Sequence, residues 1–98
     1  MERAFLTAKI HGHVFRFVRV KKVDKENSCG ECDFEKKTIK IKKDMAKKTE
    51  AETLLHEILH SIDYSLAEPR IHTFSSNLYQ IFKDNPKLLE LIFPRPRK

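Results

Sequence analysis

The spacing of the apolar residues changes near residue 49, and this change divides the chain into a strand-forming half and a helix-forming half. Before it, apolar and polar residues partly alternate, as in residues 14–20 and 39–42, which is typical of half-buried strands. After it, apolar residues recur at three- and four-residue steps, the period of an amphipathic helix. We therefore expect an α+β fold, with a small antiparallel sheet in the N-terminal half packed on helices of the C-terminal half.

Turn and cap residues mark the ends of these elements. Gly12 and residues 35–37 are predicted to turn two hairpins. Thr49, with Glu52 three residues later, predicts the start of the first helix through a capping box. Pro69 suits the first turn of a second helix, and a short apolar segment follows near the end of the chain.

The length of 98 residues predicts one domain, which we expect to span residues 1–93 and to be followed by a basic, disordered tail at 94–98. No apolar run is long enough to span a bilayer, and the first residues lack the pattern of a secretion signal. The sequence therefore predicts a soluble, cytoplasmic protein without a membrane partner.

The positive charge is concentrated in the first half of the chain. Residues 1–48 hold 14 Lys and Arg against 7 Asp and Glu, and the excess lies in two stretches, 16–25 and 36–48. Such a balance favours acidic partners, nucleic acid included. The simpler interpretation, which we prefer, is a solvated strand face that keeps a small protein soluble.

Two cysteines, Cys29 and Cys32, form a C-x-x-C pair around Gly30. Such a pair is half of a structural zinc site, which His11 and His13 could complete. Because these histidines flank a predicted hairpin turn, we favour two reduced thiols in a loop where Gly30 permits a tight turn.

The motif that carries chemistry is His56-Glu57-x-x-His60, within the first predicted helix. Residues four apart on a helix project from one face, so the two imidazoles lie about 6 Å apart along the axis and can bind one Zn²⁺ together. Glu57 adjoins the first histidine, where its carboxylate can reach a water on the metal. In zinc peptidases with this motif the glutamate is the general base, and the metal acidifies the water and polarises the scissile carbonyl.

Two histidines leave a catalytic zinc site one protein ligand short. Asp63 lies about 10 Å beyond His56 along the helix, too far to share the ion, and is either a hydrogen-bond acceptor for His60 or a solvated acid at the helix end. Glu68 and His72 on the next helix are the candidates. A tight antiparallel turn would bring His72 level with His60, so this geometry slightly favours His72.

Residues from about 10 to 86 resemble the small H-E-x-x-H metallopeptidases encoded by phages and prophages, distant relatives of the ImmA/IrrE-type gluzincins. The resemblance is carried by residues 29–31, 39–41, 52–63 and 78–86. It implies a minimal zincin, encoded by a phage or prophage and acting in the bacterial cytoplasm, with a glutamate of the second helix as the third zinc ligand.

The resemblance favours Glu68 over His72 as that ligand. Glu68, followed by Ile71 three residues later and then by Phe74, matches the gluzincin pattern. The chain departs from the pattern in its short connection between His60 and Glu68, and in having His72 where an acid is more usual.

These features predict a zinc-dependent metallopeptidase that acts on a protein or peptide. Its zinc ligands would be His56, His60 and Glu68, and its general base Glu57. Tyr64 or Tyr79 could stabilise the oxyanion, although core packing is the simpler role for either. The alternative prediction is a nucleic-acid-binding or regulatory protein with a structural or vestigial zinc site.

Overall fold

The computed structural model describes residues 3–24, 28–63, 65–94 and 96, and in this part of the chain it contains one sheet and three helices. In chain order the elements are β1 (Ala4–Ile10), β2 (His13–Val20), β3 (Gly30–Asp33), β4 (Thr38–Lys42), α1 (Lys47–Ile62), α2 (Glu68–Asp84) and α3 (Pro86–Ile92). The predicted α+β class is confirmed. None of the described helices is long and apolar enough to cross a membrane. The predicted tail at 94–98 falls mostly outside the described residues.

The sheet has the order β1-β2-β4-β3 and is mixed rather than purely antiparallel. Both predicted hairpins are present, β1–β2 and β3–β4, and His11 and Gly12 take the left-handed backbone conformations that a tight hairpin turn requires. β2 and β4 are parallel, with Arg16 opposite Thr38. β3 lies at the edge of the sheet, so the chain that leaves β2 first forms this edge strand and then returns as β4, between β2 and β3. Strand alternation carries no information about direction, so the sequence did not indicate this parallel pair.

The two faces of the sheet are covered differently. The face towards α1 carries the main core, in which four side chains are at most 2% exposed: Phe15, Phe17, Ile39 and Ile41. Leu54 and Ile58 of α1 pack against this cluster. On the opposite face, Val18 and Val20 are covered by Val23, which lies in the connection between β2 and β3. Helix α1 is therefore held on one side of the sheet only.

Helix α1 begins three residues earlier than the capping box predicts, since its N-cap is Ala46 and not Thr49. It starts at Lys47 after Ala46, and no side chain caps it. The C=O of Thr49 accepts the hydroxyl of Thr53 at 2.7 Å, so Thr49 lies within the helix. The first turn is instead tied to β2, because the guanidinium of Arg19 donates to both carboxylate oxygens of Glu50 at 3.1 and 3.2 Å.

The face of α1 that is buried most deeply is polar, which differs from the expected apolar stripe. Its buried residues are Thr53, Glu57 and Ser61, whereas Ile62, the apolar residue that ends α1, is 48% exposed. The hydroxyls of Thr53 and Ser61 donate to carbonyls of their own helix, so burying them leaves no unpaired donor. This rotation places Glu57 against the sheet.

Gly30 sets the distance between β3 and α1. A Cβ atom at this position would lie 2.9 Å from the C=O oxygen of Lys40, 2.9 Å from Cγ2 of Thr53 and 3.2 Å from Cγ of Glu57. These distances are shorter than ordinary van der Waals contacts. Gly30 therefore serves close packing in a strand, and not the tight turn expected from the sequence.

We predict that Gly30→Ala lowers the free energy of unfolding by about 1–3 kcal/mol, because the added methyl group overpacks the contact between β3 and α1. Equilibrium unfolding in urea measures the change. Gly12→Asn is the matched control, since a Cβ there meets nothing within 4 Å and Asn tolerates the left-handed conformation. A Gly30→Ala protein as stable as the wild type would contradict the proposed packing constraint.

Candidate metal centre

The connection between α1 and α2 is short and is organised by Asp63. The backbone N–H of Asp63 donates to the C=O of Leu59 at 3.0 Å and ends α1. Its carboxylate accepts the hydroxyl and the backbone N–H of Ser65, and these two hydrogen bonds lower the pKa of Asp63. The side chain is exposed. Asp63 thus matches the interpretation as a solvated acid at the helix end, and it fixes the turn that brings α2 back alongside α1.

His56, His60 and Glu68 meet across this turn. The Nε2 atom of His56 lies 2.9 Å from Oε2 of Glu68, and Nε2 of His60 lies 2.8 Å from Oε1. The two imidazole rings are 5.0 Å apart between centroids, at an angle of 63°. One ligand atom from each residue can be chosen so that all three lie within 4.8 Å of one another. The carboxylate therefore bridges the two histidines of the H-E-x-x-H motif.

His72 lines the same cleft but does not belong to this group of three. Helix α2 begins at Glu68 itself, directly after the turn, so the glutamate side chain reaches both histidines of α1. His72 follows one helical turn later; it and Glu68 are both exposed, so position along α2, and not burial, separates them. The structure thus brings together His56, His60 and Glu68, and leaves His72 at the side.

The local electrostatics favour the protonation states that metal binding requires. Burial lowers the pKa of His56, although the nearby Glu68 carboxylate acts in the opposite direction. Burial raises the pKa of Glu68, but the charges and hydrogen bonds of His60 and His56 outweigh it, so the pKa of Glu68 falls below its usual value. A neutral imidazole and an ionised carboxylate are the forms that bind a metal.

Glu57 lies beside the group of three and is buried, with 5% of its surface exposed. It lines the cleft together with Gly30 and Cys32 of β3, and it is not one of the three residues that approach a common point. Its place on α1, directly after His56, directs it to the sheet while the histidines face α2. Glu57 is therefore close to His56, His60 and Glu68, here called the metal group, without being part of it.

Cys29 lies in the loop directly before β3, as expected, whereas Cys32 lies within the strand. Both are free, with Cys29 exposed and Cys32 half-buried. Burial, followed by the charges of Glu57 and Asp33, raises the pKa of the Cys32 thiol to about 11. A thiol with this pKa is protonated at neutral pH.

The histidines that could have completed a zinc site with the cysteines lie at the other end of the sheet. His11 lies in the turn between β1 and β2, and His13 is the first residue of β2. Because β2 and β4 are parallel, this is the end of the sheet at which Thr38 begins β4. The C=O of Cys29, in contrast, accepts the N–H of Lys42 at the last residue of β4. The four residues therefore do not form a common site.

A cleft of about 480 Å³ opens between β3, α1 and α2, and the three metal-group residues and Glu57 line it. Tyr79 does not line this cleft, and the ammonium of Lys83 lies 5.6 Å from the centre of its ring. Tyr64, the other tyrosine considered for the oxyanion, lies outside the described residues. No local sequence pattern indicates that Thr53 and Gly30 form part of the cleft wall, because that role depends on β3 packing beside α1.

The donor set fits a single divalent ion. Around a tetrahedral zinc with bonds of 2.0–2.2 Å, ligand atoms are separated by about 3.3–3.6 Å. Each histidine Nε2 atom now lies 2.8 or 2.9 Å from a carboxylate oxygen of Glu68. These distances need to grow by less than about 1 Å to reach the spacing around zinc. Two imidazoles and one carboxylate are a ligand set found in catalytic zinc sites, which leave one position for water or substrate.

Comparisons with known protein families, with curated protein sequences and with solved structures find no match to this chain. The interpretation of the site therefore rests on its own residues. Two histidines from one helix and one glutamate from the next are held together by a short turn, in a cleft that also contains a buried carboxylate.

We predict that the protein binds one Zn²⁺ per chain, and that His56→Ala, His60→Ala and Glu68→Ala each lower the affinity by at least about 100-fold. Loss of a residue that merely orients a ligand already costs 10–100-fold, so loss of a ligand should cost no less. Titration against a chromogenic chelator measures both stoichiometry and affinity. His72→Ala is the control and should stay close to the wild type. If His72→Ala weakened zinc more than Glu68→Ala did, the third ligand would be His72.

The affinity for Zn²⁺ should fall steadily as the pH is lowered from about 7.5 to 5, because protons compete for the imidazole nitrogens. Burial keeps His56 neutral to a lower pH than an exposed histidine, and the lowered pKa of Glu68 keeps its carboxylate charged over the same range. The same chelator titration at several pH values tests this expectation. An affinity independent of pH across this range would exclude histidine ligands.

Proposed function

We propose that this chain is a zinc-dependent metallopeptidase of the H-E-x-x-H type, similar to the minimal gluzincins. The observation that carries the proposal is the convergence of His56, His60 and Glu68 in a cleft beside the buried carboxylate of Glu57. A metal site that only stabilised a fold would not need a carboxylate next to it that is excluded from the ligand set. Neither would it need to open into a cleft of about 480 Å³.

The residues that would hold the ion are His56, His60 and Glu68, and zinc is the ion that two imidazoles and a carboxylate suit best. When bound, Zn²⁺ supplies Lewis-acid polarisation of the scissile carbonyl and lowers the pKa of a coordinated water towards neutrality. The bridge that Glu68 forms between the two imidazoles holds both rings in place before the ion arrives.

Glu57 is the proposed general base. Its carboxylate accepts the proton of the attacking water and then gives it to the leaving amine of the cleaved peptide. Burial against β3 limits the positions that the side chain can take, since Cγ of Glu57 packs against the site where Gly30 has no side chain. The charge of Glu57 is also one of the causes of the raised pKa of Cys32, which stays a neutral neighbour of the base.

The proposed substrate is an extended protein segment that pairs with β3. This strand lies at the edge of the sheet, pairs with β4 on one side, and lines the cleft. An edge strand presents main-chain N–H and C=O groups to which an extended peptide can add as a further strand. Pairing of this kind would lay the peptide along the cleft, with a carbonyl group close to His56, His60 and Glu68.

We further propose that the enzyme works in the cytoplasm of a bacterial host, as the resemblance to phage and prophage peptidases implies. Its two free cysteines suit a reducing compartment, where thiols near a metal site are not oxidised.

Glu57→Gln should lower peptide hydrolysis by about 10²–10⁴-fold and leave zinc affinity unchanged. Glutamine keeps the shape and hydrogen-bonding capacity of the side chain but cannot accept the proton. Hydrolysis of a fluorogenic peptide library by the zinc-loaded protein gives the rate, and the chelator titration gives the affinity.

Glu90→Gln on α3 is the matched control for this substitution, because Glu90 is exposed and does not line the cleft. It should cleave at the wild-type rate. Wild-type activity in Glu57→Gln would rule out the proposed mechanism. Loss of zinc from Glu57→Gln would show that the carboxylate is a ligand instead of a base.

A further inference from the structure

Described lysines from both basic stretches of the sequence lie close together at one end of the sheet. They lie together because β2 and β4 are parallel neighbours, with Val20 opposite Lys42, so both strands finish at the same end of the sheet. The backbone N–H of Lys43 donates to the C=O of Val20 at 2.8 Å and holds the two strand ends together. A pocket of about 420 Å³ at this edge is lined by Val20 and by four lysines, here called the lysine cluster: Lys21, Lys22, Lys40 and Lys43.

Positive charge is concentrated at the lysine cluster, although three acidic residues lie near it in the described part of the chain. None of its four ammonium groups forms an ion pair with an acidic residue in the described part of the chain. Asp24 and Asp44 are near in sequence, and Glu31 lies opposite Lys40 on the neighbouring strand, with its carboxylate accepting the backbone N–H of Asp24 at 2.9 Å. Four like charges around one pocket create a positive potential that favours an anionic partner.

Val20 and Lys40 lie on the face of the sheet that is turned away from the metal group, and Lys21, Lys22 and Lys43 lie just beyond the ends of β2 and β4. Ile39 and Ile41 point into the core beneath α1, so Lys40, between them on the same strand, points to the opposite face. A partner bound to the lysine cluster would therefore leave the cleft open.

We propose that the lysine cluster binds the phosphate backbone of double-stranded nucleic acid without reading its sequence. Duplex DNA has a density of negative charge high enough to engage four ammonium groups at once, and it releases counterions when it does. The pocket contains no aromatic side chain on which an unpaired base could stack, which disfavours a single strand.

The composition of the lysine cluster suits contacts to a phosphate backbone that do not depend on a fixed geometry, because each ammonium group acts as a point charge. Arginine, whose planar guanidinium donates two parallel hydrogen bonds, would add geometric specificity towards a carboxylate or a phosphate alike. The cluster contains only lysine. The guanidinium of the nearby Arg19 is already engaged, with Glu50 on one side and the ring of Phe5 at 3.9 Å on the other.

The test is the binding of a fluorescently labelled duplex DNA of about 20 base pairs, followed by anisotropy at several salt concentrations. Four phosphate contacts predict a slope of about −3 to −4 for log K against log salt. The variant in which all four lysines of the cluster become glutamine should bind at least about tenfold more weakly at 0.1 M salt, with a slope close to zero. The variant Lys21→Gln/Lys22→Gln/Lys43→Gln, which keeps the half-buried Lys40, should retain a slope of about −1.

A control with the same change of net charge distinguishes a site from overall charge. Its four substitutions lie at exposed lysines elsewhere: Lys9→Gln, Lys36→Gln, Lys83→Gln and Lys87→Gln. It should keep the wild-type slope. Equal losses in the control and cluster variants would overturn the proposal, as would tighter binding of a single strand, or competition by polyglutamate as effective as that by unlabelled duplex. Unchanged zinc affinity and thermal unfolding in the cluster variants verify that they are folded.

Discussion

The position of the candidate metal centre depends on how closely α1 packs against β3. Gly30 permits this approach because it has no Cβ atom to meet Thr53 and Glu57. With the polar face of α1 buried against the sheet, the neighbouring face with His56 and His60 is turned to α2 and the cleft. A larger residue at position 30 would displace the helix, and both histidines would move with it. The geometry of the site is therefore set by a contact in which neither histidine takes part.

Much of the fold could be predicted from the sequence because its signals are local. The alternation in the first half, the two turns and Pro69 each act within a few residues, and the hairpins and the start of α2 follow them. The parallel pair of β2 and β4 could not be predicted, since strand direction is a property of the whole sheet. The orientation of α1 was also missed, because serine and threonine hydroxyls that bond to their own helix can be buried where apolar residues were expected.

The candidate site shows the same division between local and distant information. His56, Glu57 and His60 are fixed by spacing on one helix, so the sequence alone indicated them. The choice of Glu68 over His72 depends on the turn between the helices. A tight antiparallel turn that brings His72 level with His60 favours His72. In the structure, hydrogen bonds to Asp63 shorten the turn, and α2 begins at Glu68. Here the resemblance to the gluzincins indicated the residue that lies in the group, and the simple geometric argument did not.

The parallel pairing of β2 and β4 has a consequence for the order in which the molecule assembles. The hairpins β1–β2 and β3–β4 each join residues close in sequence, but the parallel pair joins residues 22 positions apart, as in Arg16 and Thr38. Because closing a loop over this distance costs more entropy than closing a hairpin, we expect the parallel pair of β2 and β4 to form after the two hairpins. The sheet thus consists of two hairpins joined along one seam, and β3, which lines the cleft, belongs to the second hairpin. Local opening along that seam would separate the cleft wall and β4 from β1 and β2 as a unit.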